Sequence, residues 1–307
     1  MTAQTKVRHF LSMSDLSPGE IADVLERATA FKKGDRTRSL AGRNAVLIFE
    51  KPSLRTKLTF DIAVHELGGH PIYMAPQEVM LGKREPVKDV ARMVSRVADL
   101  AVVRTFGHAL IEEFAQAASI PVVNALSDAE HPCQALADLL TIRQHFGGIK
   151  GVRVAYIGDG NNVAASLALG LAATGGHLTI ASPAGYELPE RYAGQAISIG
   201  QKTGGTLSMV RKPASAAKGA DFVYTDVWTS MGQEAETAIR LKAFAGYQVN
   251  PPLLDLAGKG VKFMHDMPAH PGEEISQGLF DDPRSIVFDQ AENRLHAQAG
   301  LLDFLFS

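Results

Sequence analysis

The sequence is short of the features that mark secreted, membrane-bound or nucleic-acid-binding proteins. Its 307 residues include one cysteine, Cys133, so no disulfide can form within the chain, and we expect a reducing, cytoplasmic location. The net charge of -2 disfavours nucleic acid or an anionic membrane as the main partner. No run approaches the roughly 18 apolar residues of a membrane span. The opening residues, MTAQTKVRHFLSM, lack the apolar core and cleavage site of a signal peptide, so none is expected.

What is present is an ordinary globular composition, 46% hydrophobic and 21% charged, with an alternating pattern of elements. Short apolar runs alternate with longer helical patterns, which predicts an α/β fold with parallel sheets covered by helices. The predicted strands are NAVLIFE, LAVVRTF, PVVNAL, VRVAYIG, HLTIASP, FVYTDV and VKFMH. Glycines in FGGIKG break the chain after a long helix, so we place a domain boundary after Gly147.

Clusters of mostly polar, reactive residue types follow six of these strands. They are Lys51, Ser53, Arg55 and Thr56; Arg104 and His108; His131 and Gln134; Asp159, Asn161 and Asn162; Asp226, Ser230 and Met231; and His265 and Asp266. Ligands of open parallel α/β sheets bind at the carboxyl ends of the strands. The pattern therefore predicts one shared site in a cleft between two sheets.

The stretch KPSLRTK predicts an anion site at the beginning of a helix. Ser53 is suited to cap the first turn, whose N–H groups and dipole favour an anion. Arg55 can hold phosphate or carboxylate oxygens in a two-pronged fork. An ordinary serine cap followed by solvated basic residues fits the same spacing.

The stretch EHPCQALADLL predicts a helix beginning at His131, with Pro132 in the first helical position. His131 and Gln134 are three residues apart and can share one face. A metal site would need Cys133 and further ligands that the neighbouring sequence does not supply. A buried, hydrogen-bonded histidine is the simpler alternative.

Two further motifs invite functions that their details disfavour. In YIGDGNN the third glycine of a dinucleotide fingerprint is replaced by Val163, and the next strand ends at Ala181 and Ser182 without the expected acid. NAD binding is therefore disfavoured, and Asn161 and Asn162 can instead present amides to a polar substrate. A Ser230–His265–Asp226 hydrolase is disfavoured because the chain lacks the G-x-S-x-G elbow.

Taken together, the motifs resemble the aspartate/ornithine carbamoyltransferase family, in the same order along nearly the whole chain. SLRT is similar to the S-T-R-T phosphate signature, and HPCQ is similar to H-P-x-Q. DVWTSMG resembles the D-x-W-x-S-M-G of the ornithine branch, which GDGNN and AENR also match. S-x-R-T alone is weak, whereas five motifs in order are specific.

The resemblance implies two doubly wound parallel-sheet domains with an active-site cleft between them. Residues 1–147, completed by a C-terminal helix at 290–307, would bind carbamoyl phosphate, and residues 148–289 would bind ornithine. The implied reaction is carbamoyl transfer to the δ-amine of ornithine, giving citrulline and phosphate in arginine biosynthesis. A homotrimer, or a larger assembly of trimers, is implied, with no metal and no other cofactor.

By position, the resemblance also assigns the site residues. The carbamoyl-phosphate residues are Ser53, Leu54, Arg55, Thr56, Arg104, His131, Gln134, Met267 and Arg294. The ornithine residues are Asn162, Asp226, Ser230 and Met231. The catalytic residues are Arg55, Arg104, His131 and Asp266. Donors such as His131 and Arg104 would stabilise the developing oxyanion, and an acceptor ammonium with a pKa near 10 must lose its proton before it attacks.

Three positions depart from the family pattern. His265-Asp266-Met267-Pro268 stands where the ornithine branch has H-C-L-P, so aspartate replaces a cysteine beside the reacting amine. Lys57 stands where a second arginine is common and offers a point charge in place of a fork. Met80 stands where a Gln or His of a neighbouring subunit usually reaches the phosphate, unless Lys83 or Arg84 replaces it. Transfer to a related amine, or binding without turnover, therefore stays open.

Overall fold

The computed structural model describes residues 7–307. The expectation that the opening segment holds no signal peptide therefore concerns residues that lie partly outside this range. The chain folds as two compact units. The first comprises Met1–Leu140 and Arg294–Ser307, and the second comprises Thr141–Asn293. The division falls within a helix that ends at Phe146, and the boundary after Gly147 stays a prediction.

The first unit is built on a four-stranded parallel sheet with the order β2-β1-β3-β4. The strands are β1 (Asn44–Phe49), β2 (His70–Met74), β3 (Leu100–Arg104) and β4 (Val122–Leu126). The helices are α1 (Pro18–Lys32), α2 (Leu54–Glu66), α3 (Pro76–Val79), α4 (Val87–Val97), α5 (His108–Ala117) and the first part of α6 (Pro132–Phe146). The 3-10 turn Met13–Asp15 precedes them.

The second unit is built on a five-stranded parallel sheet with the order β7-β6-β5-β8-β9. The strands are β5 (Arg153–Ile157), β6 (His177–Ala181), β7 (Thr206–Val210), β8 (Phe222–Thr225) and β9 (Lys262–His265). The helices are α7 (Asn162–Thr174), α8 (Glu190–Thr203), α9 (Pro213–Ala217), α10 (Thr237–Ala243), α11 (Pro251–Leu254) and the first part of α12 (Val287–Leu305). Two further 3-10 turns are Glu234–Glu236 and Leu279–Asp281.

Both sheets are doubly wound, which confirms the predicted fold class of two parallel-sheet α/β units. The strand order reverses beside β1 in the first sheet and beside β5 in the second, and ligands of such sheets bind at that reversal, at the carboxyl ends of the strands. In the first sheet the pairing of β3 with β4 shifts register between Val103 and Arg104. Irregularities of this kind commonly re-aim a side chain next to an active site, and here the irregularity falls on Arg104.

Every strand predicted from the sequence is present, and two strands were missed. The missed strands, β2 and β7, each lie at an edge of their sheet and are only partly buried. Their sequences, HPIYM and TLSMV, therefore lack the continuous apolar character of the central strands. Among residues 7–307, the structure contains no helix with the length and apolar character needed to traverse a lipid bilayer.

Gly160, in the turn between β5 and α7, is closely covered by backbone of the same unit. Its N–H donates to the carbonyl oxygen of Tyr186 at 2.8 Å, and a Cβ at this position would lie 2.2 Å from the backbone nitrogen of Leu188. Gly160 is the second glycine of the fingerprint, the one that a dinucleotide would approach. Backbone of the protein itself thus occupies that face of the turn. This agrees with the disfavoured NAD reading of YIGDGNN.

We expect Gly160→Ala to destabilise the protein by about 1–3 kcal/mol or more, because the added methyl group meets backbone that cannot rotate away. Urea unfolding of the variant measures the loss. Gly194→Ala is the matched control, since Gly194 lies in α8 with open space around it and alanine favours helix by up to about 1 kcal/mol. Equal unfolding midpoints for the two variants would contradict the close approach at Gly160.

Candidate active site

The loop after β1 leads into the first turn of α2, where the predicted cap is present. Ser53 Oγ accepts a hydrogen bond from the backbone N–H of Thr56 at 3.2 Å. Leu54 is 76% exposed and Arg55 is half-buried, so this turn is accessible at the carboxyl end of its sheet. A capped helix start with an arginine in its first turn favours an anion.

Two buried arginines meet at the hydroxyl group of Thr56. Arg104 Nη1, at the end of β3, donates to Thr56 Oγ1 at 3.4 Å, and Arg294 Nη2, from α12, donates to the same oxygen at 2.6 Å. All three residues are at most 5% exposed. The first unit therefore brings Thr56, Arg104 and Arg294, three of the predicted residues, into one buried cationic cluster.

His131 and Gln134 add neutral polar groups near this cluster. His131 is buried, and the pKa of its imidazole is lowered well below the usual value, first by burial and then by the charges of Arg294, Arg104 and Lys51. The imidazole is therefore neutral. Gln134 donates its side-chain N–H to Asp138 Oδ1 at 2.9 Å, while its buried Oε1 has no hydrogen-bond partner among the described residues. This leaves an acceptor for a ligand N–H.

Within residues 7–307, Cys133 and His131 do not belong to any group of three or more ligand side chains close enough to hold a metal ion. The Sγ of Cys133 donates a hydrogen bond to the carbonyl oxygen of Asn124 at 3.4 Å. Burial raises the pKa of this thiol to about 12, so it lacks the thiolate form that binds metals. The helix begins at Pro132, as the sequence predicts.

Two of the departing positions are also on the first unit. Lys57 Nζ lies 3.6 Å from the centroid of the Tyr73 ring, a cation–π contact that holds the ammonium group against β2. Met80 is 41% exposed and has left-handed backbone, with φ 43°, at the end of α3. Arg84 Nη1 donates to the carbonyl oxygen of Glu78 at 3.0 Å. An anion-binding role for Lys83 or Arg84 stays a prediction.

In the second unit, Asp226 lies at the end of β8 and is 6% exposed. Its Oδ2 accepts from Asn161 Nδ2 at 2.6 Å, and its Oδ1 accepts from the backbone N–H of Val227 at 2.7 Å. Asn161 Oδ1 in turn caps α7 by accepting from the N–H groups of Val163 and Ala164. The sequence indicated Asn161 as an amide for a polar substrate, but the resemblance assigned it no role. Its helix-cap position in GDGNN was the signal available in the sequence.

Asp266 lies beside Asp226, and carboxyl oxygens of the two residues lie within 4.8 Å of each other. The pKa of Asp226 is raised well above its usual value, first by burial and then by the neighbouring Asp266 carboxyl group. His265 and Asn161 act in the opposite direction. Asp266 is therefore part of a buried acidic pair as well as the residue before the Met267–Pro268 turn.

His265 orients this turn through both of its ring nitrogens. Nδ1 accepts the backbone N–H of Met267 at 2.8 Å, and Nε2 donates to Glu274 Oε1 at 3.2 Å. Asp226, His265 and Asp266 offer ligand atoms within 4.8 Å of one another, but the imidazole lone pair is already used, which argues against a metal ion there. The same contacts keep His265 from serving as a base for Ser230. Met267 lies in this second unit, and its contact with carbamoyl phosphate stays a prediction.

The loop carrying Ser230 and Met231 is anchored by a buried arginine. Arg240 Nη1, on α10, donates to the carbonyl oxygen of Trp228 at 3.0 Å and to Asp159 Oδ2 at 2.7 Å. Met231 is 48% exposed and Ser230 is half-buried. Asn162 uses its Oδ1 to accept the N–H of Val163 at 3.1 Å. Substrate contacts of Asn162, Ser230 and Met231 stay predictions.

Comparison with known proteins gives a consistent match over both units. The family model "Aspartate/ornithine carbamoyltransferase, carbamoyl-P binding domain" matches residues 8–144, and "Aspartate/ornithine carbamoyltransferase, Asp/Orn binding domain" matches residues 150–305. A curated ornithine carbamoyltransferase of Acidothermus cellulolyticus is 53% identical over 302 residues, covering 97% of this chain and 96% of that protein.

Solved structures show the same likeness. The ornithine carbamoyltransferase from Pyrococcus furiosus superposes with a TM-score of 0.93 at 44% identity, covering 96% of each chain. An acetylornithine transcarbamylase complexed with acetylcitrulline superposes with a TM-score of 0.88 at 30% identity, covering 97% of this chain and 98% of that one. Identity is thus higher to the two enzymes named for ornithine than to the one named for acetylornithine.

Proposed function

Because this chain belongs to the aspartate/ornithine carbamoyltransferase family, we propose that it transfers the carbamoyl group of carbamoyl phosphate to the δ-amine of L-ornithine. The products are L-citrulline and phosphate. The observation that carries this proposal is the division of charge between the two units. Cations surround Thr56 in the first unit, and carboxyl groups meet at Asp226 in the second. One site suits a dianion and the other suits an ammonium group.

Carbamoyl phosphate binds the first unit through two kinds of contact. Its phosphate binds at the start of α2, where the Ser53–Thr56 backbone and the Arg55 guanidinium donate hydrogen bonds to it. Its carbonyl oxygen accepts hydrogen bonds from Arg104, Arg294 and neutral His131. These hydrogen bonds become stronger as that oxygen becomes an oxyanion. The carbamoyl NH₂ donates to Gln134 Oε1, the buried acceptor that has no partner among the described residues.

Ornithine binds the second unit as a cation. Its α-ammonium group pairs with Asp226, supported by Asn162, Ser230 and the backbone near Met231. Its δ-ammonium group loses one proton to solvent, and the resulting amine attacks the carbamoyl carbon, forming a C–N bond. The C–O bond to phosphate then breaks and phosphate leaves with the electron pair. The second proton lost by the nitrogen goes to phosphate, which leaves as hydrogen phosphate.

A panel of amines tests both the reaction and the choice of acceptor. Purified protein is given carbamoyl phosphate with L-ornithine, Nα-acetyl-L-ornithine, L-lysine or putrescine, and carbamoylated product is measured. We expect kcat/KM to be highest for L-ornithine. Highest activity with another amine would replace the acceptor, and no product with any amine would contradict carbamoyl transfer.

We also propose that the chain works as a cytoplasmic homotrimer in arginine biosynthesis. Large apolar side chains are exposed on α2 and α4 of the first unit, a pattern favoured where another copy covers them. They are Leu54, Leu58, Met93 and Val97, each more than half exposed. Light scattering after gel filtration measures the assembly, and a monomeric mass would contradict it.

We expect Asp266→Cys to stay active and to reach half-maximal turnover at lower pH. An anion beside the δ-ammonium stabilises its unreactive protonated form and so raises the pH needed for attack. A neutral thiol removes that stabilisation. The pH profile of kcat for ornithine measures the shift, and an unchanged profile would count against a role for Asp266 in deprotonation of the amine.

A further inference from the structure

The sheet register places Asp226 and Asp266 side by side. β8 and β9 are parallel neighbours in which Thr225 pairs with His265. The next residue along each strand is an aspartate, so both carboxyl groups emerge together at the carboxyl edge. The side chain of Asp266 is 12% exposed, and Asp226 is 6% exposed. Two acids therefore share a site that is nearly closed to water.

The closeness of these carboxyl groups favours a proton between them. Their oxygens lie within 4.8 Å of each other, and ionised carboxylates are acceptors only, so neither can donate to the other unless one is protonated. Two like charges at this distance in a buried site also repel strongly, and one group then keeps its proton to higher pH. The raised pKa of Asp226 agrees with this geometry.

Neighbouring charges do not remove the need for that proton. Arg240 is committed to Asp159 Oδ2 at 2.7 Å and to Glu236 Oε2 at 2.9 Å. His265 accepts the Met267 N–H at Nδ1 and donates to Glu274 from Nε2, so its ring nitrogens are used within its own turn. The groups that act on the pair are Asn161 after β5, Asp159 in the same turn and His265 on β9. Arg240 and Glu236 lie behind Asp159, and Glu274 lies behind His265.

We infer that Asp226 and Asp266 hold one shared proton before an amine binds, and that the ammonium group of the acceptor displaces this proton to solvent. The inference rests on the proposed acceptor site. The charges balance, because the pair goes from one negative charge to two as one positive charge arrives. A thiol at 266, as in the ornithine branch of the family, would leave Asp226 without this partner.

Proton displacement makes amine binding depend on pH. While the shared proton is present, each unit of pH strengthens binding of the cation by about tenfold, since one proton is exchanged for one ligand. The direction follows from the raised pKa of Asp226: the proton competes at low pH and is lost as the pH rises through that pKa.

The test uses L-norvaline, which is L-ornithine without the δ-nitrogen, so that a released proton comes from the protein. Titration calorimetry of norvaline with inorganic phosphate present is run at neutral pH in buffers with different ionisation enthalpies. The slope against ionisation enthalpy gives the number of protons released. We expect about one for the wild type.

Two variants sharpen the result. Asp266→Asn keeps the shape of the side chain and removes its charge. The pH range over which ligand binding releases a proton should therefore lie about one unit or more below that of the wild type. Asp281→Asn removes an exposed carboxylate of the same unit and should match the wild type. Norvaline binding without proton release, or equal profiles for wild type and Asp266→Asn, would overturn the inference.

Infrared spectroscopy reads the same proton without a ligand. The difference spectrum between wild type and Asp266→Asn should contain the C=O band of a protonated carboxyl group, and its absence would overturn the shared proton. The same preparations are assayed for citrulline. If citrulline forms but neither the band nor proton release is observed, the shared proton is contradicted and the proposed function is retained. Proton release without citrulline supports the pair and contradicts the proposed function.

Discussion

Arg55→Ala is expected to lower kcat/KM for carbamoyl phosphate by about 100-fold or more, the usual effect of removing a donor that acts on developing or bound negative charge. Arg55 stands in the first turn of α2, two residues after the Ser53 cap and one residue before buried Thr56. No other residue of that turn offers a guanidinium fork. Steady-state kinetics with carbamoyl phosphate as the varied substrate measures the loss.

Arg38→Ala is the matched control for this experiment. Arg38 is an exposed arginine of the same unit and has no proposed role in either substrate site, so its removal should leave kcat/KM unchanged. Full activity in Arg55→Ala would contradict the anion site at α2. Equal losses in both variants would show an effect of net charge rather than of the site.

Asp226→Asn is expected to raise KM for ornithine by about 30-fold or more, and to leave KM for carbamoyl phosphate nearly unchanged. Losing one partner of a buried charge pair typically costs about 2–5 kcal/mol. Asparagine keeps the shape and one hydrogen-bond acceptor, so the loss reports the charge. KM values for both substrates separate the two sites.

The exposed Asp281→Asn variant controls for the change in protein charge and should keep the wild-type KM for ornithine. A normal KM for ornithine in Asp226→Asn would place the ammonium group elsewhere. A large change in KM for carbamoyl phosphate alone would reassign Asp226 to the other substrate.

The central strands were predictable because burial on both faces leaves a plain apolar signature. NAVLIF and RVAYI are buried along nearly their whole length, and such runs between helical patterns favour parallel sheets. The edge strands β2 and β7 were not predictable in this way, because one side faces solvent and polar residues are tolerated there. Their pairing to β1 and β6 depends on contacts between distant parts of the chain.

The positions of the candidate site residues were predictable where local motifs fix them. Ser53 and His131 stand at helix starts, and Arg104 ends a strand, so each position follows from nearby residues. The role of Asn161 as a partner of Asp226 was not readable, since the two are far apart in sequence and meet only at neighbouring strand ends. The same holds for the His265–Glu274 contact, which depends on the turn after β9.

The acidic pair shows what combining sequence and structure adds. From the sequence, a single aspartate at position 266 indicates a turn residue or, by resemblance, a substitute for cysteine. The pairing of Thr225 with His265 puts it against Asp226, and burial then couples their protonation. Neither fact follows from the motif alone.

The most direct measurement follows the carbamoyl group itself. Carbamoyl phosphate labelled with carbon-13 is incubated with L-ornithine and the protein, and citrulline and phosphate are quantified by mass spectrometry and a phosphate assay. A sample without protein serves as the blank for spontaneous breakdown. We expect labelled citrulline and phosphate in equal amounts above that blank. Phosphate release without labelled citrulline, or neither product, would contradict this expectation.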